Sequence, residues 1–317
     1  MDPLTYEVNK LAKKIRRGSI SARADRARMM RFFSRAVAKE FHRLELQNLG
    51  GKHIDWFVAK YRAGHLSPGG AAPEAATVKN MLSALRTLLH RIGKENLLPK
   101  DNAALGIAQR CYVPTTSRAS RVSDEIIAQL DVRSPWTGAS VRLMRAFGLR
   151  LEESMKVVPV LAYYKTELRM HGSWCKNGKP RAVPIRTREQ LEAIHHALQV
   201  AGDGSLTAPG IDYIAARRAL INTCNELGLS ARHGLRHAYA QDQYTALARM
   251  SCPLSGGPLR GEMTPEQVAR DLNVRIQIAQ ELGHERPSIS KTYLGAAAPR
   301  ALVMKPLELV PLTELLG

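Results

Sequence analysis

Six side chains are of types that could act together on an anionic group: Arg150, Lys176, His233, Arg236, His284 and Tyr293. Arg150 ends an apolar helical pattern beside a turn in "AFGLRLEES", and Lys176 precedes an Asn-Gly pair in "WCKNGKPR". His233 and Arg236 stand three apart in "RHGLRHAYA". That is about one helical turn, so both side chains can point the same way. His284 follows Gly283 just past a helical pattern, and Tyr293 comes nine residues later in "ELGHERPSISKTYLG". A guanidinium fork can meet two oxygens of one anion, which an ammonium cannot. A tyrosine hydroxyl, with a reference pKa of about 10, attacks at neutral pH only with a base or strongly cationic surroundings. Taken singly, each residue has a plainer reading: Arg150 as a surface ion pair, Lys176 as a solvated turn residue, Tyr293 as core. His233 and His237 at i,i+4 suggest a metal pair, but no carboxylate or cysteine stands at a matching spacing, so no metal is expected.

These residues must be positioned by a chain that reads as mostly helical. Apolar periodicity predicts helices at about 123–133, 137–147, 187–200, 211–227, 234–248 and 264–282. The last opens on "TPEQ", with a Thr cap, Pro at the first helical position and Gln three residues after the cap. Among them "ELRMHGSWCKNGKPRAVPI" changes period. Asn177-Gly178 predicts a tight hairpin turn, because both residues accept positive φ. Val183 and Ile185 alternate on the outgoing strand, and Pro184, without an amide donor, predicts an edge strand. In the first third, Ile54, Phe57, Val58 and Tyr61 share one helical face, with Gly64 to end it. "TVKNMLSALRTLLHRIG" carries a second stripe, with Thr77 placed to cap its start and Gly93 its end. The polar, basic stretch "VPTTSRASRV", residues 113–122, reads as a linker.

The chain has 47 Lys+Arg against 28 Asp+Glu, a formal charge of +19. Such a charge repels itself in a compact state, and a polyanion, most commonly nucleic acid, would neutralise it. At 317 residues with 44% apolar content, a folded chain with room for two cores is expected. The first 40 residues hold 11 Lys/Arg and 4 Asp/Glu, clustered at Lys13, Lys14, Arg16 and Arg17. They read equally as a solvated helix face, as a floppy tail or as an arm contacting phosphates. No apolar run approaches the roughly 20 residues of a membrane span, and the amino-terminus lacks the apolar region of a secretory signal. Cys111, Cys175, Cys224 and Cys252 are far apart, with no C-x-x-C pair. They suggest neither a disulfide framework nor a zinc site, and a reducing cytoplasm as the setting. No phosphate-cradling glycine motif of the nucleotide-binding kinds is present.

The order Arg, Lys in a hairpin, His-x-x-Arg, Gly-His, Tyr resembles the tyrosine recombinase family, the phage integrases. It is carried by "GLRLEE", "CKNGKPRAVPI", "HGLRHAYA" and "LGHERPSISKTYLG", over roughly residues 123–300. The resemblance implies a fold that is mainly α with a small β-hairpin or sheet (α+β). It divides the chain into a helical DNA core-binding domain at 1–112, a linker at 113–122, a catalytic domain at 123–300 and an apolar tail at 301–317. It implies that Tyr293 attacks a scissile DNA phosphate, that Arg150 and Arg236 hold its non-bridging oxygens and that Lys176 protonates the leaving 5′-oxygen. It gives His233 proton transfer at the nucleophile, His284 a hydrogen bond to the phosphoryl oxygens and Glu153 a buttressing position.

The activity so implied is site-specific recombination through a 3′-phosphotyrosyl intermediate, integrating or excising a mobile element, with no cofactor and no metal. The expected partners are double-stranded DNA and three further copies in a tetramer, with the tail docked on a neighbour. Accessory DNA-bending or directionality proteins join them, on the nucleoid of a bacterial or phage-infected cytoplasm. Two neighbouring readings are a DNA-binding protein that no longer cuts and a type IB topoisomerase-like relaxer. The interval from His233 to His284, 51 residues, is longer than the family's usual one. The excess falls on the Gly/Pro-rich "MSCPLSGGPLRGE", residues 250–262, expected as a surface loop that either contacts DNA or a neighbour or is inert.

Overall fold

The computed structural model describes residues 2–107 and 113–296, in two compact units, Met1–Cys111 and Tyr112–Gly317. The tail at 301–317 and Cys111 lie outside the described residues. No helix among the described residues is long and apolar enough to cross a membrane.

The first unit is built on four helices, α1 (Pro3–Lys14), α2 (Ile20–Glu40), α3 (Gly51–Arg62) and α4 (Ala75–Arg91). Leu4, Val8 and Ile15 of α1 and its exit pack into one core with Phe33, Phe57 and Leu85. Phe33 and Phe57 meet edge to face with ring centroids 4.9 Å apart, a geometry that aromatic quadrupoles favour. The basic cluster therefore does not lie on a floppy tail. Lys13, Lys14, Arg16 and Arg17 are exposed on and just beyond a helix whose other face is buried. Lys10, Lys13 and Lys14, interleaved with Leu4, Val8, Leu11 and Ile15, hide that face in a linear reading. Thr77 is not the cap of α4. The helix starts two residues earlier, and the Thr77 amide donates to the Glu74 carbonyl at 2.8 Å as part of the first turn. Gly93 ends the helical run with φ +69°, as its freedom from a Cβ allows.

The second unit begins with α5 (Asp124–Arg133), α6 (Pro135–Phe147), α7 (Leu151–Lys156) and α8 (Pro159–Ala162). A small sheet of β1 (Tyr163–Tyr164), β2 (Glu167–Met170) and β3 (Arg181–Pro184) follows. Then come α9 (Arg188–Ala201), α10 (Tyr213–Glu226), α11 (His233–Ala248), α12 (Pro265–Glu281) and the single turn α13 (Lys291–Leu294). The sheet is antiparallel in the order β1-β2-β3, with Leu168 opposite Val183. Pro184 thus lies on an edge strand. Asn177 and Gly178 do take positive φ, +64° and +69°. They do not close a two-residue hairpin, however: residues 171–180 link the strands through two 3-10 turns, Gly172–Trp174 and Lys176–Gly178. β1 was not legible, since two residues carry no period.

Phe147, Val183, Ile194, Tyr244, Ile278, Leu282 and Leu294 share the main core of this unit. Thr264 caps α12 through the Gln267 amide, with the reciprocal Gln267 contact in place. The 250–262 stretch is tied into its own unit. Cys252 is buried in the core and Leu254 packs against it.

Candidate active site

The site is assembled where three helix ends meet. Arg150 occupies the N-cap position of α7. Glu153, one turn on, accepts the Arg150 amide at 2.8 Å and its Nη1 at 2.5 Å. α12 closes in a Schellman turn: the Gly283 amide donates to Gln280, that of His284 donates to Ala279, and Gly283 takes φ +68°. This turn sends the Leu282 carbonyl toward the arginines and sets the His284 ring beside them. Arg236, in the first turn of α11, is fully buried. Its Nη1 donates to the Gly148 carbonyl at 2.6 Å, its Nη2 to the Leu282 carbonyl, and its Nε to Tyr293 Oη at 3.3 Å. Arg150 Nη2 reaches the same Leu282 carbonyl at 3.3 Å. Tyr293 Oη lies 3.2 Å from His284 Nε2.

Arginine can only donate, so the Arg236 Nη2 contact to His284 Nε2 at 3.4 Å makes that nitrogen an acceptor. In the tautomer this contact favours, the proton of neutral His284 is on Nδ1 and the Tyr293 hydroxyl donates to Nε2. Burial, followed by the charges of Arg236, Arg150 and Arg181, lowers the His284 pKa to about 4. The ring is therefore neutral at pH 7. Burial, then His233, Arg118 and Arg236, lowers His237 to about 4. His233 is exposed at the rim, but partial desolvation and the Arg236 and Arg150 charges hold it below its ordinary value.

The matching family models come in succession along the chain. One described as "Integrase" matches residues 110–242, and one described as "Phage integrase, N-terminal" matches residues 1–98. The chain belongs to the phage integrase family of tyrosine recombinases. No curated protein sequence matches it. Solved structures show the same fold. A lambda integrase dimer bound to a COC′ core site is 15% identical, with a TM-score of 0.60 over 95% of this chain and 79% of that one. The XerH site-specific recombinase bound to difH is 16% identical, with a TM-score of 0.53 over 91% and 80%. A lambda integrase tetramer bound to a Holliday junction is 15% identical, with a TM-score of 0.55 over 95% and 78%.

Within the integrase, Arg150, Lys176, His233 and Arg236 fall inside the matched stretches, whereas His284 and Tyr293 lie beyond them. Arg150, Glu153, Arg236, His284 and Tyr293 form one cluster, joined by hydrogen bonds and by the Leu282 carbonyl that both arginines share. His233 stands apart, its ring 6.5 Å from that of Tyr293. Lys176 is exposed on the 171–180 connection, with no hydrogen bond or ion pair among the described residues. No group of three or more metal-ligating side chains is clustered among the described residues.

Three participants escaped the sequence reading. Arg181 lies in the quoted hairpin stretch and looks like one more basic turn residue. Its side chain is buried, with Nη2 2.7 Å from Glu153 Oε2 and Nε donating to the Glu281 carbonyl at 2.7 Å. Burial alone would raise the Glu153 pKa, but the Arg181 and Arg150 charges overcome it and hold the carboxylate at about 2. His237, weighed only as a metal partner of His233, stacks 4.7 Å from the Tyr293 ring. Gln241, one turn further along α11, donates to the Tyr293 carbonyl at 3.0 Å. Its position four residues after His237 was the available signal.

The lowered histidines predict acid lability. An unfolded chain takes up protons near pH 6.5, while His237 and His284 resist until about pH 4. Their contribution to stability is complete above pH 6.5 and is lost as the pH falls toward 4. The slope is up to about 1.4 kcal/mol per pH unit for each group. Denaturant midpoints measured across this interval should fall with pH, and a flat profile would contradict the burial of both rings.

Proposed function

We propose that this integrase cuts and rejoins double-stranded DNA through Tyr293, held ready by Arg236 and His284. The observation that carries the reading is the pair of contacts on Tyr293 Oη, 3.3 Å to Arg236 Nε and 3.2 Å to His284 Nε2. Oη attacks the phosphorus, a phosphotyrosyl ester forms on the 3′ side, and the bond to the 5′-oxygen breaks. The hydroxyl proton passes to His284 Nε2, already its acceptor. Proton transfer at the nucleophile, which the resemblance gave to His233, thus falls to His284. His233, exposed at the rim, is left to hydrogen-bond the phosphoryl oxygens. Lys176, unpartnered on its loop, protonates the departing 5′-oxygen.

Arg150, whose side chain is 22% exposed, meets the phosphate first. Arg236 follows by exchanging some of its bonds to protein for bonds to phosphate. Fixed guanidinium donors aimed at the charge that develops in the transition state lower the barrier by several kcal/mol each. The phosphotyrosyl ester keeps the phosphodiester bond energy, so a 5′-hydroxyl from a second duplex can attack it and rejoin the strand without ATP. The working form is a tetramer on two duplexes, supported by the likeness to the lambda integrase tetramer bound to a Holliday junction. Integration or excision of a mobile element, docking of the 301–317 tail on a neighbouring copy, help from accessory DNA-bending or directionality proteins, and a site of action on cytoplasmic DNA belong to the same proposal.

The test is to trap the adduct on nicked suicide DNA carrying the element's junction, or on a pool of genomic junction fragments, and to digest it with trypsin. The nucleotide-bearing peptide should be residues 292–300. Attachment elsewhere overturns the assignment of Tyr293. Relaxation of plasmid lacking any recognition site would favour the topoisomerase-like reading.

A further inference from the structure

The nucleophile sits on a helix that cannot hold itself. α13 has four residues, far short of the roughly 12 at which an isolated helix becomes even marginal. Its main chain is fixed from outside at two places. Beyond the tyrosine, buried Arg275 donates to the Gly295 carbonyl at 3.2 Å and to the Ala296 carbonyl at 2.9 Å, with Asp271 pairing its charge at 2.7 Å. At the tyrosine itself the anchor is Gln241.

The Gln241 amide is buried, and every bond it can form is made. Nε2 donates to the Tyr293 carbonyl at 3.0 Å and to Ser117 Oγ at 2.9 Å. Oε1 accepts from Ser117 Oγ at 3.2 Å and from Ser255 Oγ at 3.0 Å. The Tyr293 carbonyl can only accept, so the amide orientation is determined. Ser255 belongs to the 250–262 stretch. Ser117 belongs to the exposed linker at 113–122 that leads in from the first unit. That linker is laid along α11: the Ser120 amide donates to the Gly234 carbonyl at 3.0 Å, and Arg121 pairs with Asp242 at 2.5 Å. Gly234 permits the approach, since a Cβ there would come within 2.5 Å of Ser120 Cβ.

We propose that Gln241 is a positioning residue that couples the linker to the nucleophile, with Ser117 as the sensing contact and Ser255 of the long 250–262 stretch as its fixed strut. The proposal rests on the reading of Tyr293 as nucleophile. Tension on the linker when both units engage DNA acts first on Ser117, the only exposed member of the Ser117–Gln241–Tyr293 chain. It is passed through one side-chain amide to the Tyr293 main chain. The long interval before His284 then has a use within its own chain.

The experiment compares Ser117→Ala, Ser117→Thr, Gln241→Ala and the Ser117→Ala/Gln241→Ala double variant in the full chain. With saturating protein on suicide DNA, the single-turnover rate of adduct formation should fall about tenfold for Gln241→Ala, and severalfold for Ser117→Ala. Affinity for DNA should stay within about twofold. Ser117→Thr, which keeps the hydroxyl, should restore the rate. In the double variant the Ser117 change should add nothing to Gln241→Ala, because its effect passes through that amide. Amide hydrogen exchange at residues 291–296 should rise in both single variants. Normal exchange and a normal rate in Ser117→Ala, or additive effects in the double variant, would overturn the coupling. If the unaltered protein forms no adduct, the nucleophile reading fails, and the exchange measurement still decides whether the linker holds this segment.

Discussion

Replacing Tyr293 by phenylalanine should abolish the SDS-resistant DNA adduct while leaving DNA binding within about twofold of the unaltered protein. The substitution removes one oxygen and keeps the ring that packs against His237 and His284. That oxygen is the only group of the cluster able to form the ester. Arg236 and His284 touch it but cannot replace it, because a guanidinium is not a nucleophile and attack by an imidazole nitrogen would give a phosphoramidate instead of the tyrosyl ester. The loss of strand cleavage should therefore be on the order of 10⁵-fold or more, as for removal of other enzymic nucleophiles. Two polar groups, Arg236 Nε and His284 Nε2, would lose a partner in a site where Tyr293 is only 5% exposed. A stability loss of about 1–2 kcal/mol is expected alongside. A gel assay for the adduct, a binding isotherm and an unfolding curve on one preparation separate these effects. An adduct persisting in the phenylalanine variant would remove Tyr293 from the mechanism.

The second large effect is expected at Glu153, which makes no contact with substrate in the proposed mechanism. Its carboxylate is 1% exposed and neutralises Arg181 directly at 2.7 Å and Arg150 at 2.5 Å. Glu153→Ala would leave a buried Arg181 with no counter-charge, a change that costs about 3–5 kcal/mol in comparable settings. Arg150 would also lose the partner that aims it, so cleavage should fall as well as stability. Glu153→Gln keeps the shape and an oxygen for the Arg150 amide, and should fall between the two. Fluorescence of Trp136 and Trp174, both in the second unit, would follow its unfolding. The same carboxylate predicts a second acid signature, in the pH interval just below that of the histidines. With a folded pKa of about 2 against an ordinary 4.5, its stabilisation is complete above pH 4.5 and is lost as the pH falls toward 2. Unfolding of Glu153→Gln should lack that component. A Glu153→Ala variant as stable as the parent would show that the arginines find other partners.

Much of this protein is legible in one dimension. The motif order from Arg150 to Tyr293 was readable because each motif is tied to local geometry. An arginine stands two residues after Gly148, which ends α6 with φ +60°, a histidine follows a Schellman glycine, and His-x-x-Arg opens a helix. The Thr264–Gln267 cap and the edge-strand Pro184 were equally local. The errors share a cause. α1 stays open between a helix face and a tail in the sequence because its buried face is interleaved with lysines, and only packing against Phe33 and Phe57 decides it. Thr77 has the chemistry of a cap, but the alanines before it propagate the helix two residues further back. Asn177-Gly178 predicted positive φ correctly, while the length of the connection depends on how residues 171–180 fold between the strands.

The sequence by itself determined the family, the helical character and the set of residue types that phosphoryl transfer needs, because these follow from spacing and side-chain chemistry. Only the tertiary structure decided which of those residues touch. It put Arg181 against Glu153, brought His284 Nε2 to 3.2 Å from the Tyr293 hydroxyl, and closed Ser117 and Ser255 around the Gln241 amide that holds the Tyr293 carbonyl. The physical reason is that burial and charge act through space. Contacts between residues 28, 52 or 124 positions apart leave no period in the chain, yet they set the orientation and the reach of the reacting group.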